Sequence, residues 1–514
     1  MNYAVIRNIL GKILILLAIL MILPLIVSFI YQEGITHYLA YIIPIVLLIT
    51  FGILLNLKKA KNPKMQVREG MIIVGSSWLI MSLFGCVPFM ISGEIPNFFD
   101  AFFEMASGFT TTGASIITDV TKISHSIHFW RCFSHWIGGM GVLVFILAII
   151  PESRDGSALH ILRAESPGPQ VGRLVSKMQS SSRILYIIYM VLTFVEFLLL
   201  WLGPDSKMNL FNSIIYSLGT AGTGGFSAHA AGFAEFSKYS QYVVSIFMLI
   251  FGINFTMFYL LLIRNVKEIG KNDELKVYGI IVVISVAIIC ANIYPLYKNF
   301  EESFRLSLFQ VAAIISTTGF SSANFDNWPA LSKTIIIIIM CFGACAGSTA
   351  GGLKLSRATI LFKSAVSKVK KLVHPRKVET IYMDGKPLSD ATIETVQGYF
   401  VVYMMIFIVC TILISLYNPN IKELDLVTCF TSSLTCISNV GPALGPIAGP
   451  TGNFAAFSSF SKFILSIEMI VGRLELFPIL LLFSPNTWKK RYWYYRLNIK
   501  KRYRCLYETY TFFI

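Results

Sequence analysis

The 514-residue chain is short of charge, with Asp, Glu, Lys and Arg making up only 14%, where soluble domains run at about 25%. Hydrophobic residues make up 55% and the mean hydropathy is +0.68. That balance excludes a disordered chain and argues against an ordinary soluble enzyme. None of the nine cysteines forms a Cys-x-x-Cys pair, and most lie in apolar stretches. A zinc site or a disulfide scaffold is therefore not expected. There is no P-loop, no metalloprotease motif and no strand–glycine turn–helix unit. Nor is there a carboxylate cluster or a Ser/His/Asp set of the kind a membrane-embedded transferase or hydrolase needs. The amino-terminal apolar run has no small-residue cleavage motif and reads as a retained span.

What is present is length in apolar runs. Ten segments, roughly 12–31, 38–57, 71–92, 133–151, 184–203, 241–263, 277–297, 333–362, 396–417 and 460–483, are mostly near the helical length that crosses hydrocarbon. The net charge of +16 follows the connections between them, because 33 of the 43 Lys and Arg fall in the first 12 residues and in 58–70, 152–183, 264–276, 354–386 and 484–504. Ten spans with both termini inside put all of these clusters on the cytoplasmic side, as the positive-inside rule requires. The basic tail is interleaved with Tyr492, Trp493, Tyr494 and Tyr495, the composition of an interfacial lipid anchor rather than of a nucleic-acid surface.

The outer connections hold a repeat. A short semi-apolar stretch, too short to span, runs into a Gly-rich turn four times: 99–109 before Thr110-Thr111-Thr112-Gly113, 208–218 before Thr223-Gly224-Gly225, 303–315 before Thr317-Thr318-Gly319, and 424–437 before Asn439-Val440-Gly441. Gly113, Gly225, Gly319 and Gly441 are 112, 94 and 122 residues apart. A single copy would be an ordinary loop. Four copies, each between two spans, describe re-entrant turns, which membranes tolerate only where they are buried in protein or line water. Glycine permits close backbone approach, so such turns can point carbonyls at a bare cation in place of its water shell. The carbonyl ends of the short helices then face the same centre, with Asp100 and Glu104 early in the first helix.

These segments resemble the four filter sequences of the Trk/Ktr/HKT superfamily of potassium transporters. So do the run Trp136–Val142, the run Gly343–Lys354 and Gly472-Arg473-Leu474-Glu475. The resemblance covers about 70–485, and the two extra spans within 12–57 resemble the Trk-type membrane subunits. Asn439-Val440 departs from the Thr-Gly pattern, but members are asymmetric there too. The resemblance implies an all-α polytopic protein: an N-terminal helix pair (1–66), four span–pore helix–span repeats (67–155, 156–270, 271–378, 379–485) in pseudo-four-fold arrangement, and a basic cytoplasmic tail (486–514). It implies potassium bound at Thr111, Thr112, Gly113, Thr223, Gly224, Gly225, Thr317, Thr318, Gly319, Asn439, Val440 and Gly441, with serine at the first glycine position associated with sodium permeation. It also implies a homodimer in the cytoplasmic membrane, no cofactor in this chain, and ATP, ADP or NAD only on a TrkA-like cytoplasmic ring of regulatory subunits.

Two further features bear on gating. Residues 343–352 carry Gly343, Gly347, Gly351 and Gly352 with Ser348 and Thr349, a poor helix at membrane depth. They form either a close-packing helix face or, as the resemblance implies, an intramembrane gate loop. Arg473 lies within the last span, where a guanidinium needs a cavity or a partner. It either pairs with Glu468 or Glu475 or stands beside the pore and bonds the loop carbonyls. His125, His128 and His135 read as packing or interfacial residues. Glu196 reads as a packing or snorkelling carboxylate, with a proton relay as the alternative. A proton- or sodium-coupled secondary transporter is the alternative function, but that class relies on broken-span repeats rather than four re-entrant turns.

Overall fold

The computed structural model describes residues 1–58, 60, 67–141, 178–376, 379–418, 424–474 and 476–488. Among them the protein is helical apart from a two-stranded antiparallel hairpin, Tyr382–Met383 with Lys386–Pro387. Six helical segments are long and apolar enough to cross a membrane: Tyr3–Ile30, Ile35–Asn56, Arg68–Ser92, Arg183–Trp201, Asp273–Tyr297 and Asp390–Leu416. Their outer faces carry Ile19, Ile30, Val46, Val283, Met405 and Ile412 in the open. That exposure suits a hydrocarbon solvent rather than water. The first two segments meet at Gly11 and Gly52, where a Cβ on either glycine would come within 2.9 Å of the other's carbonyl oxygen. This is the close approach that small residues allow between membrane helices.

Three of the remaining runs are broken; the breaks in 241–263 and 460–483 correct the sequence expectation, whereas the one in 333–362 falls on the glycine-rich stretch where it was expected. The apolar run 241–263 is two helices, Lys238–Phe251 and Phe255–Leu262, bent by 91°. Gly252 ends the first, and the Asn254 side chain accepts from the Thr256 N–H to start the second. The run 460–483 is also two helices, Ser459–Arg473 and Phe477–Phe483, parted at Leu476 with φ of 34°. The run 333–362 divides into Ala330–Met340 and Leu355–Val373 around the glycine-rich stretch. The fourth run begins earlier than expected, as the helix His125–Gly139, and its portion 142–150 lies outside the described residues. Most of the 152–183 cluster and the tail beyond 488 lie outside them as well.

Four short helices occupy the predicted places: Phe98–Phe109, Leu210–Gly222, Phe300–Ile315 and Leu426–Ser438. Each starts on an Asx cap. Asn97, Asn209, Asn299 and Asp425 accept from first-turn amides, satisfying N–H groups that no preceding turn can reach. The helices close a cycle. The Phe98–Phe109 helix lies against Ser459–Arg473, Leu210–Gly222 against His125–Gly139, Phe300–Ile315 against Lys238–Phe251, and Leu426–Ser438 against Ala330–Met340. Each short helix is thus held by the second span of the preceding repeat, with the fourth repeat returning to the first.

Candidate functional site

Immediately after each short helix the backbone turns left-handed at a residue other than glycine: Thr111 (φ 57°), Thr223 (55°), Thr317 (58°) and Asn439 (55°). All four stand two places before the aligned glycines. A β-branched residue in this region is a genuine outlier, costing of order 1–3 kcal/mol unless its surroundings impose it. The aligned glycines follow, with Gly113, Gly319 and Gly441 also at positive φ. Gly225 has no such φ, so the second turn differs from the other three.

The glycines meet one another around an axis. A Cβ at Gly113 would lie 2.6 Å from the amide nitrogen of Gly225, and one at Gly225 would lie 2.5 Å from the Thr318 carbonyl oxygen. At Gly319 it would strike the Val440 carbonyl oxygen, and at Gly441 it would lie 2.6 Å from the Thr112 carbonyl oxygen. The contacts run 113 to 225, 225 to 319, 319 to 441, and 441 back to 113. Four chain segments far apart in sequence therefore form one closed ring of backbone. The residues between share the packing. Thr110 and Thr112 hydroxyls are 2.8 Å apart, Ser316 and Thr318 hydroxyls 2.7 Å, and Gly224 faces the His135 ring with no room for a side chain. The carbonyl ends of four helices converge on this ring, and their partial negative charge favours a cation.

The glycine-rich stretch lies under the ring as an irregular loop, not as a close-packed helix face. Its backbone is bonded at many points. The Gly343 N–H donates to the Leu353 carbonyl (2.8 Å) and the Cys345 N–H to the Gly252 carbonyl (3.1 Å). The Gly347 carbonyl accepts from the Phe255 N–H (3.0 Å). The Ser348 hydroxyl donates to the Cys345 carbonyl (2.6 Å), and the Thr349 hydroxyl to the Phe251 carbonyl (3.2 Å). Three of the four left-handed residues touch the loop. The Thr223 hydroxyl donates to the Thr349 carbonyl (2.8 Å), and the Thr317 hydroxyl accepts from the Gly351 N–H (2.8 Å). Asn439 covers Gly351, leaving no space for a Cβ there, and the Ser438 carbonyl covers Gly352. The Thr111 hydroxyl is buried with no partner among the described residues.

Arg473 is half-buried and spans this arrangement. Its guanidinium donates to the Thr349 carbonyl (2.6 Å) and to the Gly138 and Gly139 carbonyls (2.8 and 2.7 Å). One planar fork thus joins the loop, the end of the first repeat's second span and the last span. Glu468 is engaged elsewhere, accepting from the Ser433 hydroxyl at 2.7 Å, and Glu475 lies outside the described residues.

Of the charged residues singled out in the sequence, Glu104 sits differently from the expectation, while Asp100, the histidines and Glu196 fall within it. Glu104 does not serve the start of its helix. It is fully buried, paired with Arg131 at 2.7 Å, and accepts from Ser115 and Ile116 just beyond the ring. Arg131 also lies over the Phe226 ring, 4.2 Å from its centroid. Asp100 pairs with Lys462 of the last span at 2.7 Å. The histidines pack: His135 Nδ1 is 2.8 Å from the Gly108 carbonyl, His128 Nε2 is 2.7 Å from the Val120 carbonyl, and His125 stacks on Tyr31. Glu196 is fully buried rather than snorkelling.

The model of the TrkH family, described as a cation transport protein, matches residues 9–277 and 281–493. The chain is 33% identical over 498 residues to the Trk system potassium uptake protein TrkH of Salmonella typhimurium, covering 95% of this chain and 100% of that protein. It is 30% identical to the Trk system potassium uptake protein TrkG of Escherichia coli, covering 94% and 98%. The crystal structure of the potassium transporter TrkH from Vibrio parahaemolyticus superposes with a TM-score of 0.83 at 28% identity, covering 95% of this chain and 100% of that one. These relatives are transporters rather than enzymes. On its sequence, its fold and its four-fold ring of turns, this chain belongs to the TrkH family of cation transport proteins.

Proposed function

We propose that the protein takes up potassium across the cytoplasmic membrane through the ring of turns, which acts as a carbonyl-lined selectivity filter. The observation that carries this reading is the closed cycle of backbone contacts through Gly113, Gly225, Gly319 and Gly441. The relatives' names as potassium uptake proteins support the choice of ion. Carbonyls of residues 111–113, 223–225, 317–319 and 439–441 replace the ion's hydration shell. The 343–352 loop closes the path beneath them, and Arg473 holds it there while adding a positive charge that opposes a cation. Both termini are cytoplasmic, in keeping with the distribution of basic residues.

In this reading the chain carries no cofactor. It works as a homodimer with a TrkA-like cytoplasmic ring of nucleotide-binding subunits, docked on the basic inner segments 354–386 and 484–504. The test is rubidium flux into liposomes holding the purified chain, across imposed voltage and pH gradients and without organic solute. Flux that follows voltage and is blocked by excess potassium supports the filter. Flux that requires a proton or sodium gradient points to coupled secondary transport instead.

A further inference from the structure

One buried carboxylate grips the loop from both sides, and no motif marks it. Glu274 is in the first turn of the Asp273–Tyr297 helix and is 4% exposed. The same oxygen, Oε1, accepts the Ala346 N–H (2.8 Å) and the Ser356 N–H (2.7 Å). Ala346 lies in the descending limb of the loop, and Ser356 in the first turn of the helix that leaves it. The carboxylate therefore ties together two chain positions that flank the Gly347–Leu353 excursion under the ring. Each limb supplies one of two amides that the break has removed from helical bonding. Hydrogen bonds to a charged acceptor in a water-poor place are the strong kind.

Glu274 is itself fixed by its neighbours. The Asn272 side chain caps the helix at the Leu275 N–H (2.7 Å). Asp273 pairs with Lys363 of the Leu355–Val373 helix at 2.7 Å, and its N–H donates to Asp384 in the hairpin turn (2.8 Å). Lys363 also donates to the Tyr382 carbonyl (2.9 Å). The corner 272–274 thus touches the loop, the helix that leaves it and the Tyr382–Pro387 hairpin together.

We infer that Glu274 is a positioning residue for the gate, a latch that holds the 343–354 loop in its closed shape through backbone groups other than the Thr349 carbonyl that Arg473 holds. This rests on the reading of that loop as a gate. Opening then requires both amides to leave Glu274, so removing the carboxylate favours the open loop without touching the ring above it.

The experiment is basal rubidium flux in liposomes with the pore chain alone, for Glu274→Ala, Glu274→Gln, a deletion of Ala346–Ala350, and the Ala variant combined with the deletion. Glu274→Ala is expected to raise flux roughly fivefold or more, the scale of losing a charge-assisted hydrogen bond. Glu274→Gln keeps an acceptor oxygen and should fall between Ala and wild type. The rubidium-to-sodium ratio should stay as in wild type, and the combination should add little to the deletion. A residue needed only for folding would lower flux, not raise it. If the deletion raises flux and Glu274→Ala does not, the latch is wrong and the gate stands. If the deletion leaves flux unchanged, gate and latch fall together. If the Ala variant does not reach the membrane, thiol labelling of buried Cys345 in Glu274→Gln decides. Faster labelling than wild type supports the latch, and an equal rate overturns it.

Discussion

Three threonines and an asparagine carry the strain of the site. Local preference opposes Thr111, Thr223 and Thr317 in the left-handed region, so their repetition at matched positions is imposed by what surrounds them. Two of these threonines use their hydroxyls on the loop below. Thr317→Val keeps the shape and removes the acceptor for the Gly351 N–H, leaving a buried donor unpaired at a cost of about 1–3 kcal/mol. Basal rubidium flux should therefore rise several-fold in that variant, with cation preference little changed, and equal flux would show that this bond does not hold the loop. Arg473→Ala frees three carbonyls and removes a charge. It should raise basal flux, and adding the Ala346–Ala350 deletion should change little further because both act on one element. Full additivity in liposome uptake would separate the arginine from the loop.

At the scale of elements, the glycine turns and short helices were legible because a Gly-rich turn after a short apolar stretch repeats four times. Of the breaks below them, the one at 343–352 was legible in its glycines, and the other two were not. Hydropathy over 241–263 is continuous, and a three-residue interruption does not register in it; the local signs were Gly252 and the capping Asn254. The break at Leu476 also has a sign that hydropathy averages away, because Pro478 stands in the first turn of the second helix, where a proline starts a helix but cannot continue the one before it. The grip of Arg473 on the loop was anticipated from its need for a partner; its bonds to Gly138 and Gly139 were not, because they cross between the first and last repeats. Glu274 was hidden in a segment notable for its basic residues. The Asx caps are the repeated feature most easily tested. Asp425→Ala leaves the Thr428 N–H without its side-chain acceptor, which should cost about 1 kcal/mol. Thermal unfolding in detergent should show a lowered midpoint, and an unchanged midpoint would mean that ring packing alone fixes this helix.

The molecule as a whole is a cycle of four dissimilar repeats closed by specific pairs: Lys462 with Asp100 between the fourth and first, Lys238 with Glu301 between the second and third, and Asp326 with the Gly445 N–H between the third and fourth. Because the repeats differ, each can take a separate task. The third supplies the loop, the fourth the arginine, and the first the carbonyls that receive it. In the proposed function, control by nucleotide falls to a partner. Gentle extraction from native membranes should recover a soluble nucleotide-binding ring on the cytoplasmic face, and its repeated absence would remove that part of the proposal. The claim on which all of this depends is that the ring of turns reads the ion. Its most direct measurement is the rubidium-to-sodium permeability ratio in liposomes, wild type against Gly113→Ser. A Cβ at Gly113 has no room beside Gly225 and suits neither the positive φ nor the ring. The account predicts a wild-type ratio well above one that falls about tenfold or more in the variant, where tenfold corresponds to about 1.4 kcal/mol of discrimination. An unchanged ratio in a variant that still conducts would contradict it.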